Sequence, residues 1–198
     1  MSIALFICGP AGTGKTTLAK HLAQALPLCG LGAYALLDKD TLTDPLSAAL
    51  LKSLSGDDLD RDSPVYKAHV RDLEYQSVLR VAAENLELGL NVLLPAPWTR
   101  EAQSGRLFDA AALGFPPETR VHVIWMALPE EERLARIQQR GNPRDAFKLA
   151  HWAEYARQAP ERLAAMSSRA LVLDARRPLA ELAADVAATL LPTTPQGI

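Results

Sequence analysis

Cysteine is nearly absent. The 198 residues contain two, Cys8 and Cys29, too few for a disulfide framework and without metal-ligand spacing. Both read as packing residues of a protein kept in a reducing cytoplasm. An excess of either charge sign is also missing: 21 Lys+Arg stand against 23 Asp+Glu, for a net charge of -2. That balance argues against a dedicated DNA-binding protein, although a local basic groove stays open. No apolar run approaches the roughly 20 residues of a membrane helix. Nor does the start look like a secretory leader, because Met1-Ser2 leads straight into an apolar strand. Internal repeats, linkers and low-complexity segments are absent. The 48% apolar content is too high for intrinsic disorder, and the length suits one domain with a single closed core.

Short continuous apolar runs alternate with helical patterns. Strands are expected over 3–8, 33–37, 91–94, 120–127 and 170–173. A helical stripe of Leu18, Leu22 and Leu26 ends at Pro27. Further helical patterns cover 41–54 (one helix or two), 64–88 with Gly89 as C-cap, 101–113, and 129–140 behind Pro129. The remaining ones cover 145–158, 160–167 and 178–190, with a frayed tail over 192–198. Five buried-type strands alternating with helices predict one α/β domain over 1–192, a parallel sheet covered on both faces.

The segment Gly9-Pro10-Ala11-Gly12-Thr13-Gly14-Lys15-Thr16 matches G-x-x-x-x-G-K-[ST] at every specified position. Glycines let the loop curl so that successive backbone N–H groups converge on an anion. The helix beginning near Lys15 adds the positive end of its dipole. Lys15 can reach β- and γ-phosphates, and the Thr16 hydroxyl can ligate Mg²⁺. Thr17 either touches a phosphate or lies on the helix surface.

On this loop, placed after a buried strand and at the head of a helix, the chain resembles the P-loop NTPases and, among them, the small P-loop kinases. The likeness extends over nearly the whole chain. It implies a five-stranded parallel sheet of order 2-3-1-4-5, ATP and Mg²⁺ as cofactors, and an arginine-bearing lid after strand 4. Leu37-Asp38-Lys39-Asp40-Thr41-Leu42 is similar to the strand-2 motif of zeta-toxin-like, chloramphenicol-phosphotransferase-like and polynucleotide-kinase-like enzymes. The resemblance makes Asp40 the acid that contacts the acceptor hydroxyl, and Asp38 an orienter of Mg²⁺ through water. The alternative for Asp40 is an N-cap for the helix starting near Thr41, and for Asp38 a plain turn acid. Arg133, Arg136 and Arg140 are spaced for one helix face. Gly141-Asn142-Pro143 then delivers Arg144-Asp145. Arg136, Arg140 and Arg144 are the lid candidates, with the lid over 136–150. Arg133 is assigned to a solvated face paired with Glu130 and Glu132, and Asp145 to a helix cap.

One feature of that family pattern is missing. Strand 3 ends in Leu94-Pro95-Ala96-Pro97-Trp98 without a carboxylate. Metal support would fall to Asp38 or Asp40, or to Thr16 with phosphates and water alone. Residues 41–89 would cover the acceptor, with Tyr75 and Gln76 toward the cleft or at the core edge and His69 at the surface. Arg100 would bind an anionic acceptor or simply start a helix. Asp174-Ala175-Arg176-Arg177 would border adenine. The expected activity is transfer of the γ-phosphate of ATP to a small-molecule hydroxyl by a monomer or homodimer, with nucleic acid an unlikely acceptor. A regulatory nucleotide-binding module, a toxin-type kinase and a polynucleotide kinase are the alternatives.

Overall fold

The computed structural model describes residues 1–157 and 169–191. The turns expected over 160–167, the residue at 158 and the tail over 192–198 lie outside them. Along the chain, β1 (Ile3–Cys8) leads through the glycine loop into α1 (Lys15–Leu28), then β2 (Tyr34–Leu36). Three helices follow: α2 (Lys39–Ser55), α3 (Pro64–His69) and α4 (Arg71–Glu87). β3 (Asn91–Pro95) precedes α5 (Thr99–Gln103), a 3₁₀ turn at Arg106–Phe108 and α6 (Ala110–Leu113). β4 (Arg120–Ala127) precedes α7 (Glu130–Arg140), a 3₁₀ turn at Pro143–Asp145, α8 (Ala146–Ala150) and α9 (Trp152–Arg157). β5 (Leu171–Asp174) and α10 (Leu179–Leu190) complete the described chain.

β1 is buried at every position because it lies at the centre of the sheet, whose order is β2-β3-β1-β4-β5 with every pairing parallel. This is the expected α/β architecture. Alternate residues of the central strand feed two cores. Ala4, Phe6 and Cys8 pack with α4 and the Trp98 region, while Ile3, Leu5 and Ile7 pack with α1 and α10. The order reverses direction at β1, where the chain leaves toward β2 on one side while β4 lies on the other. That switch point opens a crevice at the carboxyl ends of the strands.

Several element boundaries differ from the sequence reading. The pattern over 64–88 is two helices that meet at Val70, where φ opens to -118° while ψ stays at -46°. The one over 101–113 breaks at Gly105, which adopts φ 75°, and restarts where Asp109 accepts the amides of Ala111 and Ala112. The one beginning at 145 is interrupted at His151, with φ -116° and ψ 31°. Pro27 does not end α1. It sits in the last turn, where one missing ladder bond is tolerated, and the helix closes at Cys29. Cys29 is therefore exposed instead of packed, whereas Cys8 is buried as expected.

Candidate active site

The loop after β1 is threaded through space that no side chain could share. Gly9 has φ 137°, and a Cβ there would lie 2.6 Å from the Met126 carbonyl oxygen of β4. Gly12 has φ 85°, and its Cβ would lie 2.9 Å from the Arg133 carbonyl oxygen of α7. Inside the turn, the Thr13 hydroxyl and the Lys15 ammonium both donate to the Pro10 carbonyl, at 3.0 and 2.8 Å. The Ala11 N–H donates to the Tyr155 hydroxyl at 2.8 Å. α1 begins behind Gly14 with no side-chain cap and no acid in its first turn. Its amide end is thus left to an anion. Burial, reinforced by the Lys148 ammonium, pushes Lys15 down to about 8.

Across the crevice, Asp38 ends the β2 segment and caps α2, accepting the amides of Asp40 and Thr41 at 3.0 and 3.3 Å. The helix therefore starts at Lys39, and the capping role considered for Asp40 belongs to Asp38. The other Asp38 oxygen accepts the Thr16 hydroxyl at 2.9 Å. Asp40 is left facing the cleft with 64% of its side chain exposed. Partial desolvation pushes its carboxyl up, but Lys39, with Arg144 and Lys15, outweighs that and holds it below the ordinary carboxylate range. Lys39 is buried and bridges Asp40 Oδ1 at 2.8 Å to Glu74 Oε2 at 2.6 Å, and the Tyr66 hydroxyl donates to the same Glu74 oxygen at 2.6 Å. This network ties the strand-2 turn to α4. The sequence reading passed over it, and a lysine between two acids was its one visible trace.

The lid side departs further from expectation. Arg133 is 2% exposed, so it belongs to no solvated face. Its guanidinium lies over the Trp152 ring at 5.4 Å, and its Nε and Nη1 have no hydrogen-bond partner among the described residues. The contact with Trp152 of α9 is one that spacing within α7 cannot register. Arg136 and Arg140 line the cleft with Arg144. Arg136 reaches the Ala175 carbonyl after β5 at 3.4 Å. Arg140 bonds Asp145 through Nε and Nη2 at 3.1 and 2.6 Å, and Arg144 bonds Asp44 of α2. Asp145 stands at the N-cap position of α8, but its side chain makes no capping bond: the buried carboxylate holds Arg140 and, at 3.2 Å, Lys148. Lys148 also meets Asp62 at 3.1 Å. The segment after α7 is thus fastened to α2 and to the connection between α2 and α3.

These groups open on one cleft of about 730 Å³. Ala11, Gly12, Gly14, Lys15, Thr16 and Thr17 line it, while Gly9, Pro10 and Thr13 are buried and do not. Asp38, Asp40 and the three lid arginines line the same space. So do Tyr75, buried beneath the Arg71 guanidinium at 4.0 Å, and Arg100, paired with Asp72 at 3.1 Å. Gln76 and His69 are exposed outside it. No group of three His, Cys, Asp or Glu side chains gathers into a metal cage among the described residues. A hydroxyl and one carboxylate in contact, Thr16 and Asp38, are nevertheless the donor set Mg²⁺ takes when phosphates and water complete its shell. No described helix is long and apolar enough to cross a membrane.

A parallel sheet of this order, with a glycine loop leading into α1 and a helical lid after β4, defines the P-loop fold of the small kinases. More particularly, the chain belongs to the AAA domain family, whose model matches residues 5–162. Among solved structures, a sugar kinase from a Janibacter species is 18% identical with a TM-score of 0.63, covering 95% of this chain and 94% of its own. Shikimate kinase from Aquifex aeolicus is 16% identical with a TM-score of 0.61, covering 94% of this chain and 95% of its own. A gluconokinase from Sinorhizobium meliloti is 19% identical with a TM-score of 0.55, covering 94% and 90%. At these identities the likeness is one of fold. A search of curated proteins returns no match.

Proposed function

We propose that the protein is an ATP-dependent phosphotransferase that moves the γ-phosphate to a hydroxyl of a small-molecule acceptor. The observation that carries this reading is the shared cleft, lined together by Lys15, the ionised Asp40, and Arg136, Arg140 and Arg144. The loop amides and Lys15 bind the triphosphate tail. Asp40, kept ionised at neutral pH by Lys39, accepts the hydrogen bond of the acceptor O–H, orients it toward phosphorus and takes its proton. The lid arginines place charge-assisted donors against the transferring group. Bound Mg²⁺ would neutralise phosphate charge, and Thr16 and Asp38 are the side chains that would hold it.

The test is label transfer from γ-labelled ATP across a panel of hydroxylated acceptors. Asp40→Asn should abolish transfer while leaving nucleotide binding intact, and Lys15→Ala should lose both. An Asp40→Asn protein that still transfers label would refute the role of Asp40. One observation favours a second reading, a nucleotide-binding regulatory module with weak or no transfer: β3 runs out into Pro95-Ala96-Pro97 and contributes no carboxylate of its own. Nucleotide binding without transfer to any acceptor would support it.

A further inference from the structure

The Ala11 amide is bonded to a side chain of α9, beyond the segment 136–150. Its N–H donates to Tyr155 Oη at 2.8 Å. A tyrosine hydroxyl can accept and also donate, and among the described residues the Tyr155 proton goes to no acceptor. The position of this contact along the loop is marked by Lys15, whose Nζ rests on the adjoining Pro10 carbonyl at 2.8 Å. Because a lysine of this loop serves the β- and γ-phosphates, the Pro10–Ala11 peptide lies at the terminal end of a bound triphosphate. The tyrosine is also held from several sides. Lys148 sits over its ring at 5.5 Å and Trp152 packs against it at 5.5 Å. Trp152 in turn is anchored by its indole N–H on Glu130 at 3.0 Å.

A phosphate oxygen is a charged acceptor and binds an amide about twice as strongly as a neutral hydroxyl does. A terminal phosphate would therefore take the Ala11 N–H from Tyr155. The displaced Oη then needs to withdraw only about 2.7 Å to donate its own proton to the same oxygen. We propose that Tyr155 is a γ-phosphate-contacting residue, exchanging its bond from Ala11 for a donated bond to the terminal phosphoryl group and so distinguishing triphosphate from diphosphate. This rests on the reading of the loop as an ATP site.

The experiment is calorimetric titration of the wild type and Tyr155→Phe with a non-hydrolysable ATP analogue and with ADP, in Mg²⁺. The substitution keeps the ring between Lys148 and Trp152 and removes only the hydroxyl. Triphosphate affinity should fall about tenfold, while ADP affinity should change by less than about twofold. Equal losses for both nucleotides would mean the hydroxyl only braces the loop, and would overturn the proposal. Unchanged or tighter triphosphate binding would mean the tyrosine merely competes for the amide, and would overturn it too. Wild-type protein that takes up neither nucleotide would bring down the ATP reading itself, and this proposal with it.

Discussion

Two glycines of the phosphate loop share a left-handed backbone but not their surroundings, which makes them a matched pair. Gly12 and Gly14 have φ 85° and 84°. A Cβ at Gly12 would lie 2.9 Å from the Arg133 carbonyl oxygen and 3.2 Å from Ile137 Cγ1, whereas at Gly14 nothing lies within 4 Å. An L side chain in this conformation costs about 1–2 kcal/mol at either position. Gly12→Ala adds a clash with helical backbone, and forcing an extra carbon into packed structure costs about 1–3 kcal/mol more. Gly12→Ala should therefore destabilise by roughly 2–5 kcal/mol and Gly14→Ala by roughly 1–2 kcal/mol. At about 2–4 °C per kcal/mol for a chain of this size, Gly12→Ala should melt roughly 4–20 °C below wild type and below Gly14→Ala. Scanning calorimetry of the three proteins in one buffer measures this. Coincident melting of the two variants would refute the claim that α7 presses directly on the loop.

The features legible in the sequence were those whose physics is local. β1 announces itself as an unbroken apolar run because the sheet buries it on both faces. The phosphate loop is readable because close backbone approach excludes every residue but glycine at Gly9 and Gly12. Breaks at Val70 and His151 carry neither glycine nor proline, so nothing in the helical pattern marks them. Side-chain partnerships across long separations were equally hidden. Ala11 meets Tyr155, Lys39 meets Glu74, and Arg144 meets Asp44, each pair joined only when the sheet brings its carboxyl ends together. Arg133 is the clearest case. Its spacing is that of a surface arginine, yet it is buried, with its guanidinium over the Trp152 ring. The cleft's members were thus readable one by one, while the contacts that hold them in place were not.

Two further predictions concern charge in the cleft. Lys15 has been pushed down to about 8 from the usual 10.5, yet it needs its proton to grip a triphosphate. ATP affinity should be flat below that pH and fall about tenfold per unit above it, with proton uptake on binding, which calorimetry in buffers of different ionisation heat reads directly. For the unliganded protein, the folded state binds fewer protons than the unfolded one between about 8 and 10.5, so this group makes stability rise with pH across that window. Asp38 combines two tasks that one substitution can separate. Its carboxylate caps α2 and also accepts from Thr16. Asparagine caps a helix about as well as aspartate but carries no charge, whereas alanine does neither and costs about 1 kcal/mol of capping. Asp38→Asn should therefore melt within about 2 °C of wild type, yet need about tenfold more Mg²⁺ for half-maximal ATP-analogue binding. If it instead keeps the wild-type Mg²⁺ requirement, Asp38 serves the helix alone, and the cation must be held by Thr16, phosphate oxygens and water.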